Sequence, residues 1–214
     1  MSTEWATLAG PVESELVIKK SRFLGRVMPV SGRTEAYAEV ARLKDLHPGA
    51  VHVCWALLAG GQSAAVDDGE PSGTAGRPML DVLRGSGMLD IAAVAVRYFG
   101  GVKLGTGGLV RAYSDAVSLV LPEVPRVRRQ QLTVWALAVP HAQAGRLEAE
   151  LRAASERGAH DLSVEDTTWG TTHVVLALTT DSPDATRITE ILAAITAGGA
   201  APRSAGRRVV ELPA

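Results

Sequence analysis

The segment IAAVAVRYFGGVKLGTGGLVRAY, Ile91 to Tyr113, passes from an apolar run through a glycine cluster into a helix-periodic run. Ile91 to Phe99 is apolar at odd and even positions alike up to Arg97, the pattern of a strand buried on both faces. Leu109, Tyr113, Ala116 and Val120 recur at helical spacing, so an amphipathic helix follows, with the glycines of Gly100 to Gly108 at its N-terminus. Backbone N–H groups at such a terminus, with the helix dipole, favour an anion. There is no G-x-x-x-x-G-K-[ST], and Val110 stands where a dinucleotide fingerprint needs Gly or Ala, so an ordinary NTP or NAD site is not expected. Two readings remain. The bend formed by Gly105, Thr106, Gly107 and Gly108 holds a phosphate or carboxylate with Lys103 and Arg111 nearby, or its glycines only let loop and sheet approach closely.

Upstream lies a second irregular stretch, DDGEPSGTAGRP, Asp67 to Pro78. Pro78 suits the first turn of a helix whose Met79, Leu80, Val82 and Leu83 face a core and which stops at Gly85 to Gly87. Asp67, Asp68 and Glu70 offer oxygen ligands, but the alternating register of a calcium loop is missing and no His or Glu completes a transition-metal set. No metal is therefore expected, and the plainer reading is an Asp-rich turn that caps its own backbone. Arg97 and Tyr98 end the buried strand where side chains are often delivered to a site; Tyr98 and Phe99 as core is the alternative. Cys54 sits mid-strand as inert core, with a Cys/His pair to His47 or His52 as the competing reading. His141, His160 and His173 have no partner at metal-ligand spacing. Lys19, Lys20, Arg22 and Arg26 form a solvated basic face or, if gathered near Lys103 and Arg111, a phosphate-backbone patch.

Around these motifs, Glu15 to Val30 reads as a strand pair or one bent strand, and Ala36, Val40, Leu43 and His47 mark a helix stopped by Pro48-Gly49. VHVCWALLAGG is a central strand, apolar on both faces. PEVPRVRR, Pro122 to Arg129, has the composition of a connection, which divides the chain into domains over 1–125 and 130–214. The second half runs strand, helix, two strands around Trp169-Gly170, a helix capped by Ser182 with Pro183 in its first turn, and a last strand; AAITAGGAAPRSAG near the end reads as a loop. The order βαββαβ is that of a ferredoxin-like domain. A formal charge of −1, from 22 Lys plus Arg against 23 Asp plus Glu, excludes a global field that would steer the chain to nucleic acid or membrane, so any such site is local. One cysteine excludes an internal disulfide, and no apolar run is long enough for a membrane span or export signal; a soluble cytoplasmic protein is expected.

DDGEPSGTAGRPMLDVL and VRYFGGVKLGTGGLVRAY, with the weaker KKSRFLGRV and HPGAVHVCWA, resemble the signature of the YigZ/IMPACT family over about residues 10–120. The resemblance implies an α+β protein of two domains. The first would be an N-terminal α/β two-layer domain similar to the fold shared by GHMP kinases and domains of ribosomal proteins and elongation factor G, the second a ferredoxin-like βαββαβ domain. Eukaryotic relatives are translational regulators that compete for the activator of a starvation-sensing kinase, and bacterial members are proposed to bind nucleic acid or ribosomes. The family supplies no agreed catalytic roles. Arg77 stands where Lys is common and Thr106 where Ala is usual, departures that leave the backbone pattern intact.

The expectation is thus a non-enzymatic protein that binds RNA, the ribosome or a translation-related protein through its two glycine-rich loops, with no cofactor. Its binding residues would come from Asp67, Asp68, Glu70, Ser72, Thr74, Arg77, Arg97, Lys103, Gly105, Thr106, Gly107, Gly108, Arg111, Lys19, Lys20 and Arg22. The alternative is an enzyme on a small phosphorylated or acyl substrate, with a carboxylate of the first loop as base and the helix start as anion hole.

Overall fold

The computed structural model describes residues 4–157, 162–196 and 201–212. It divides the chain into two compact units, one over Trp5–Arg128 and one from Arg129 onward. The first holds the short β1 (Glu4–Leu8) from Trp5 onward, whose Ala6 carbonyl accepts from Leu89 N–H and whose Leu8 is fully buried. β2 (Val12–Ile18) and β3 (Ser21–Pro29) then form a hairpin closed by Lys19 and Lys20 at φ 46° and 67°, so Glu15 to Val30 is a strand pair and not one bent strand. There follow α1 (Arg33–Leu46), β4 (His52–Ala59), β5 (Gln62–Val66), α2 (Gly76–Gly85), β6 (Ile91–Tyr98) and α3 (Thr106–Ser118). The five strands β2-β3-β6-β4-β5 make one sheet in that order, antiparallel at every pairing.

Neither β1 nor β5 is expected from the sequence. β5 is QSAAV, poor in β-branched and aromatic residues, and it forms because Gly60 and Gly61, at φ 58° and 71°, turn β4 back on itself.

The double apolar phase of β6 has a direct structural outcome. Ala93 and Ala95 point into a core with Phe23, Cys54, Met79, Leu83, Ala112 and Tyr113, under α2 and α3. Ala92, Val94 and Val96 point into another with Val53, Trp55 and the Ala36, Val40 and Leu43 stripe of α1. Helices therefore cover both faces of the sheet, which makes three layers where two were expected.

The second unit contains β7 (Arg126–Val139, its first residues before the unit boundary), α4 (His141–Glu156), β8 (Leu162–Trp169), β9 (Val174–Thr180), α5 (Ala185–Thr196) and β10 (Arg203–Leu212), in the βαββαβ order. β7 pairs antiparallel with β9, β9 with β8, and β10 also pairs β7. Trp135, Leu137, Leu147, Leu151, Leu176 and Leu178 centre its core. Three expectations are corrected. The arginines after Pro125 are no free connection, since β7 starts at Arg126 once the prolines that block strand pairing have passed. The cap of α5 is Asp184, whose Oδ1 accepts from Thr186 N–H at 2.9 Å while its carbonyl accepts from Ile188; Ser182 instead receives Asp184 N–H. Arg203 to Gly206, expected in a loop, belongs to β10. His160 lies outside the described residues. Among the described residues no helix is long and apolar enough to cross a membrane.

Glycine matters most where backbones touch. A Cβ on Gly100 would lie 2.0 Å from the Lys20 carbonyl carbon, whereas one on Gly107 would meet nothing within 4 Å. Gly100→Ala is expected to cost about 1–3 kcal/mol or more by overpacking against backbone that cannot yield. Gly107→Ala, at a helical position, should stabilise by up to about 1 kcal/mol. Urea unfolding of the two variants checks this opposite pair.

Candidate functional site

Strand register builds the site. Arg97 is the cross-strand partner of both Phe23 and His52, so β3, β6 and β4 place these side chains in one row on the face beneath α2 and α3. Glu70 reaches this row from the first glycine-rich loop. Its Oε1 accepts from Arg97 Nη1 at 2.5 Å and from the Tyr113 hydroxyl at 2.8 Å, and both ion-pair side chains are buried, 3% and 6% exposed. Arg97 Nη2 contacts Ser21 Oγ at 3.5 Å, and the same hydroxyl oxygen accepts from Gly100 N–H at 3.2 Å. The guanidinium also lies 5.4 Å from the Phe23 ring centroid and 5.6 Å from that of Phe99. A carboxylate from one loop and a guanidinium and phenol flanking the other thus tie the two glycine motifs together.

The remaining carboxylates of the first loop serve its backbone. Asp67 Oδ1 accepts from Ala75 and Gly76 N–H at 3.0 and 2.8 Å and Oδ2 from Gly73 N–H at 2.7 Å, so the start of α2 already holds an anion from its own chain. Burial works against this charge, but the Gly73, Gly76 and Ala75 N–H groups together overcome it and hold the carboxyl below its ordinary range. Asp68, at φ 44°, bonds Lys44 Nζ and Val53 N–H. Thr74 Oγ1 donates to the Pro71 carbonyl at 2.6 Å, and Arg77 pairs with Asp81 at 3.0 Å. Ser72 is exposed at the loop tip.

Cys54 is fully buried and donates to the Asp67 carbonyl at 3.0 Å and to the Tyr113 hydroxyl oxygen at 3.4 Å. Burial pushes its thiol up to about 12; the Tyr113 contact opposes this, and the Glu70, Asp68 and Asp67 charges reinforce it. Burial likewise raises the Tyr113 phenol, with Cys54 and Glu70 adding to the effect. Cys54 is therefore a neutral thiol in the core and, among the described residues, is paired with no histidine. Among the described residues no cluster of His, Cys, Asp or Glu can hold a metal ion.

An open cleft of about 390 Å³ lies above this floor, lined by His52, Glu70, Arg97, Phe99, Lys103 and Leu104 together with Pro71, Gly105, Thr106 and Leu109. His52, Phe99 and Tyr113 stand at the site although the motif-based selection of binding residues omits them; the pairing of His52 with Arg97 is a property of register. His52 Nδ1 lies 2.8 Å from the Asp68 carbonyl oxygen, which can only accept, so Nδ1 carries the proton. Thr106, Gly107 and Gly108 form the first turn of α3, whose N-cap Gly105 is at φ 76° and which has no side-chain cap and no acidic residue in that turn. Lys19, Lys20, Lys103 and Arg111 are exposed, with the Lys19-Lys20 turn against Gly100. Arg22 is bound to Glu15 by two hydrogen bonds.

Comparison with known proteins matches this arrangement to a family. Residues 19–121 match the Impact N-terminal domain. The chain is 43% identical to the IMPACT family member YigZ of Escherichia coli (strain K12) over 152 residues, covering 69% of this chain and 74% of that protein. It is also 43% identical to the IMPACT family member YvyE of Bacillus subtilis (strain 168) over 143 residues, 65% of this chain and 66% of that one. A solved structure described as a crystal structure of an hypothetical protein superposes with a TM-score of 0.71 at 36% identity, covering 94% of this chain and 97% of that one. The chain belongs to the IMPACT family.

Removing Glu70 strands a buried guanidinium, so Glu70→Ala should cost about 3–5 kcal/mol in urea unfolding. Cys54 should resist a thiol reagent in the native protein and react fully on unfolding. Asp67, its carboxyl held low, contributes stability that is fully present above about pH 4 and lost as pH falls through its folded value. The stability gap between the native protein and Asp67→Asn should therefore close in acid, as acid-urea titration would show.

Proposed function

We propose that the protein binds RNA in the setting of translation, on or near the ribosome, without catalysing a reaction, and that the two glycine-rich loops form its recognition surface. The observation carrying this reading is that Lys19, Lys20, Lys103 and Arg111 are exposed and, among the described residues, have no carboxylate partner, while the Lys19-Lys20 turn packs against Gly100 of the second loop. Cations whose neighbours do not neutralise them are what a phosphate backbone requires, and a chain of near-zero net charge must make such a patch locally. The first turn of α3 adds backbone N–H groups to the same surface. The resemblance of the first unit to ribosomal-protein and elongation-factor domains, and of the βαββαβ order to a ferredoxin-like domain, agrees with this reading by analogy alone. Lys103→Ala combined with Arg111→Ala should weaken single-stranded RNA binding and flatten the log K against log salt plot by about 1.4, near 0.7 for each lost phosphate contact. Salt-titrated anisotropy checks it, and an unchanged slope would count against the surface.

One observation favours a second reading, an enzyme acting on a small phosphorylated or acyl substrate. With its Nδ1 proton on the Asp68 carbonyl, His52 holds Nε2 3.9 Å from Glu70 Oε1 at the edge of the cleft, the position of a general base. Turnover of phosphate or acyl esters that disappears in His52→Gln would support it.

A further inference from the structure

We propose that the cleft between the glycine-rich loops is a pocket for a single nucleotide, taking an unpaired guanine base inward and leaving its phosphate at the Lys103 and Thr106 rim. The inference rests on the RNA-binding reading and specifies which part of an RNA the loops take. Three features of the lining select the ligand. The first is an apolar wall made by Pro71, Leu104, Leu109 and Phe99, the last 48% exposed and backed by the Arg97 guanidinium at 5.6 Å. A half-exposed aromatic ring beside basic residues is a stacking platform for a planar base.

The second feature is the buried end. Both hydrogen bonds to Glu70 fall on Oε1, so among the described residues Oε2 has no donor, although the side chain is 3% exposed. Arg97 Nε is also buried there without a partner among the described residues. His52 Nε2 lies 3.9 Å from Oε1 of the same carboxylate. The cleft floor therefore presents a carboxylate with one oxygen lacking a donor, and a carboxylate calls for a ligand edge with two adjacent N–H donors. Guanine alone among the four bases carries two neighbouring ring and amino donors on its pairing edge. Adenine and cytosine set an acceptor beside their amino group, and uracil has one N–H between two carbonyls.

The third feature is the exposed rim, where Lys103 and the uncapped start of α3 at Thr106 and Gly107 suit a phosphate. Inorganic phosphate would leave the apolar wall bare, and a fatty carboxylate would bring no donors to Glu70. The volume of about 390 Å³ lies in the range of roughly 300–1,000 Å³ usual for pockets of small ligands.

The test uses the full-length protein and labelled eight-residue RNAs of uridine with one central G, A, C or U, in anisotropy titrations at fixed salt. The single-G strand is expected to bind at least fivefold tighter than the others and tighter than a blunt duplex containing the same base. Phe99→Ala should remove roughly 5- to 100-fold of that affinity, and Phe99→Trp should retain it. Because Phe99 is half-exposed, its truncation spares the core, and a matching urea midpoint verifies this.

If Lys103→Ala with Arg111→Ala weakens RNA binding while Phe99→Ala changes it by less than twofold, the protein binds RNA without this pocket and the inference is overturned. Equal affinity for all four strands overturns it as well. If no RNA binds at any salt, the RNA reading fails, and titration with guanosine monophosphate decides the pocket: binding abolished by Phe99→Ala upholds it for a free nucleotide, and no binding ends it.

Discussion

The carboxylate of Glu70 takes two hydrogen bonds on one oxygen, from Arg97 and from Tyr113, and both charged side chains are almost wholly buried. Transferring two such ions out of water costs several kcal/mol each, and the pair is sustained only while its geometry holds. That requirement fixes the loop of Glu70, the end of β6 and the flank of α3 relative to one another. The loops on either side are then free to be rich in glycine, because their placement is set by the ion pair and not by their own stiffness. Compensation is incomplete, since Arg97 Nε is left without a partner among the described residues. Local polar rules tend to be broken where a protein has a function to perform.

The two motif loops use similar chemistry to opposite ends. At the start of α2 the backbone N–H groups meet Asp67, so the anion is intramolecular and the helix end is closed. At the start of α3 the N-cap is Gly105, with no side-chain cap and no acid in the first turn. One loop is thus self-satisfied, while the helix start at the other has no side-chain acceptor for its N–H groups. Gly100 completes the arrangement by letting the Lys19-Lys20 turn come against the second loop, bringing cations from a distant hairpin to the same place.

Much of this architecture is legible in the residues. The double apolar phase of β6, the α1 stripe of Ala36, Val40 and Leu43 and the Asp67 turn all follow from local pattern, because periodicity and turn chemistry act over a few residues. Sheet edges are less legible in the residues. β5 has a sequence that fits a strand poorly and is made by the Gly60-Gly61 hairpin and its pairing with β4. β7 begins inside a run of arginines that resembles a linker, since a strand with one solvated face tolerates charge there.

At the site the division is sharper. Sequence alone determined that two glycine-rich motifs exist, that no calcium loop, P-loop or dinucleotide fingerprint accompanies them, and that they resemble one family signature. Only the tertiary structure decided that the motifs meet, that Glu70 rather than Asp67 or Asp68 is the carboxylate at their junction, and that His52 and Phe99 border the cleft. The reason lies in register: His52, Arg97 and Phe23 are far apart along the chain and become one row only when β3, β6 and β4 pair in a particular alignment. Local pattern specifies each strand, but the choice of partner comes from burying all their apolar faces at once.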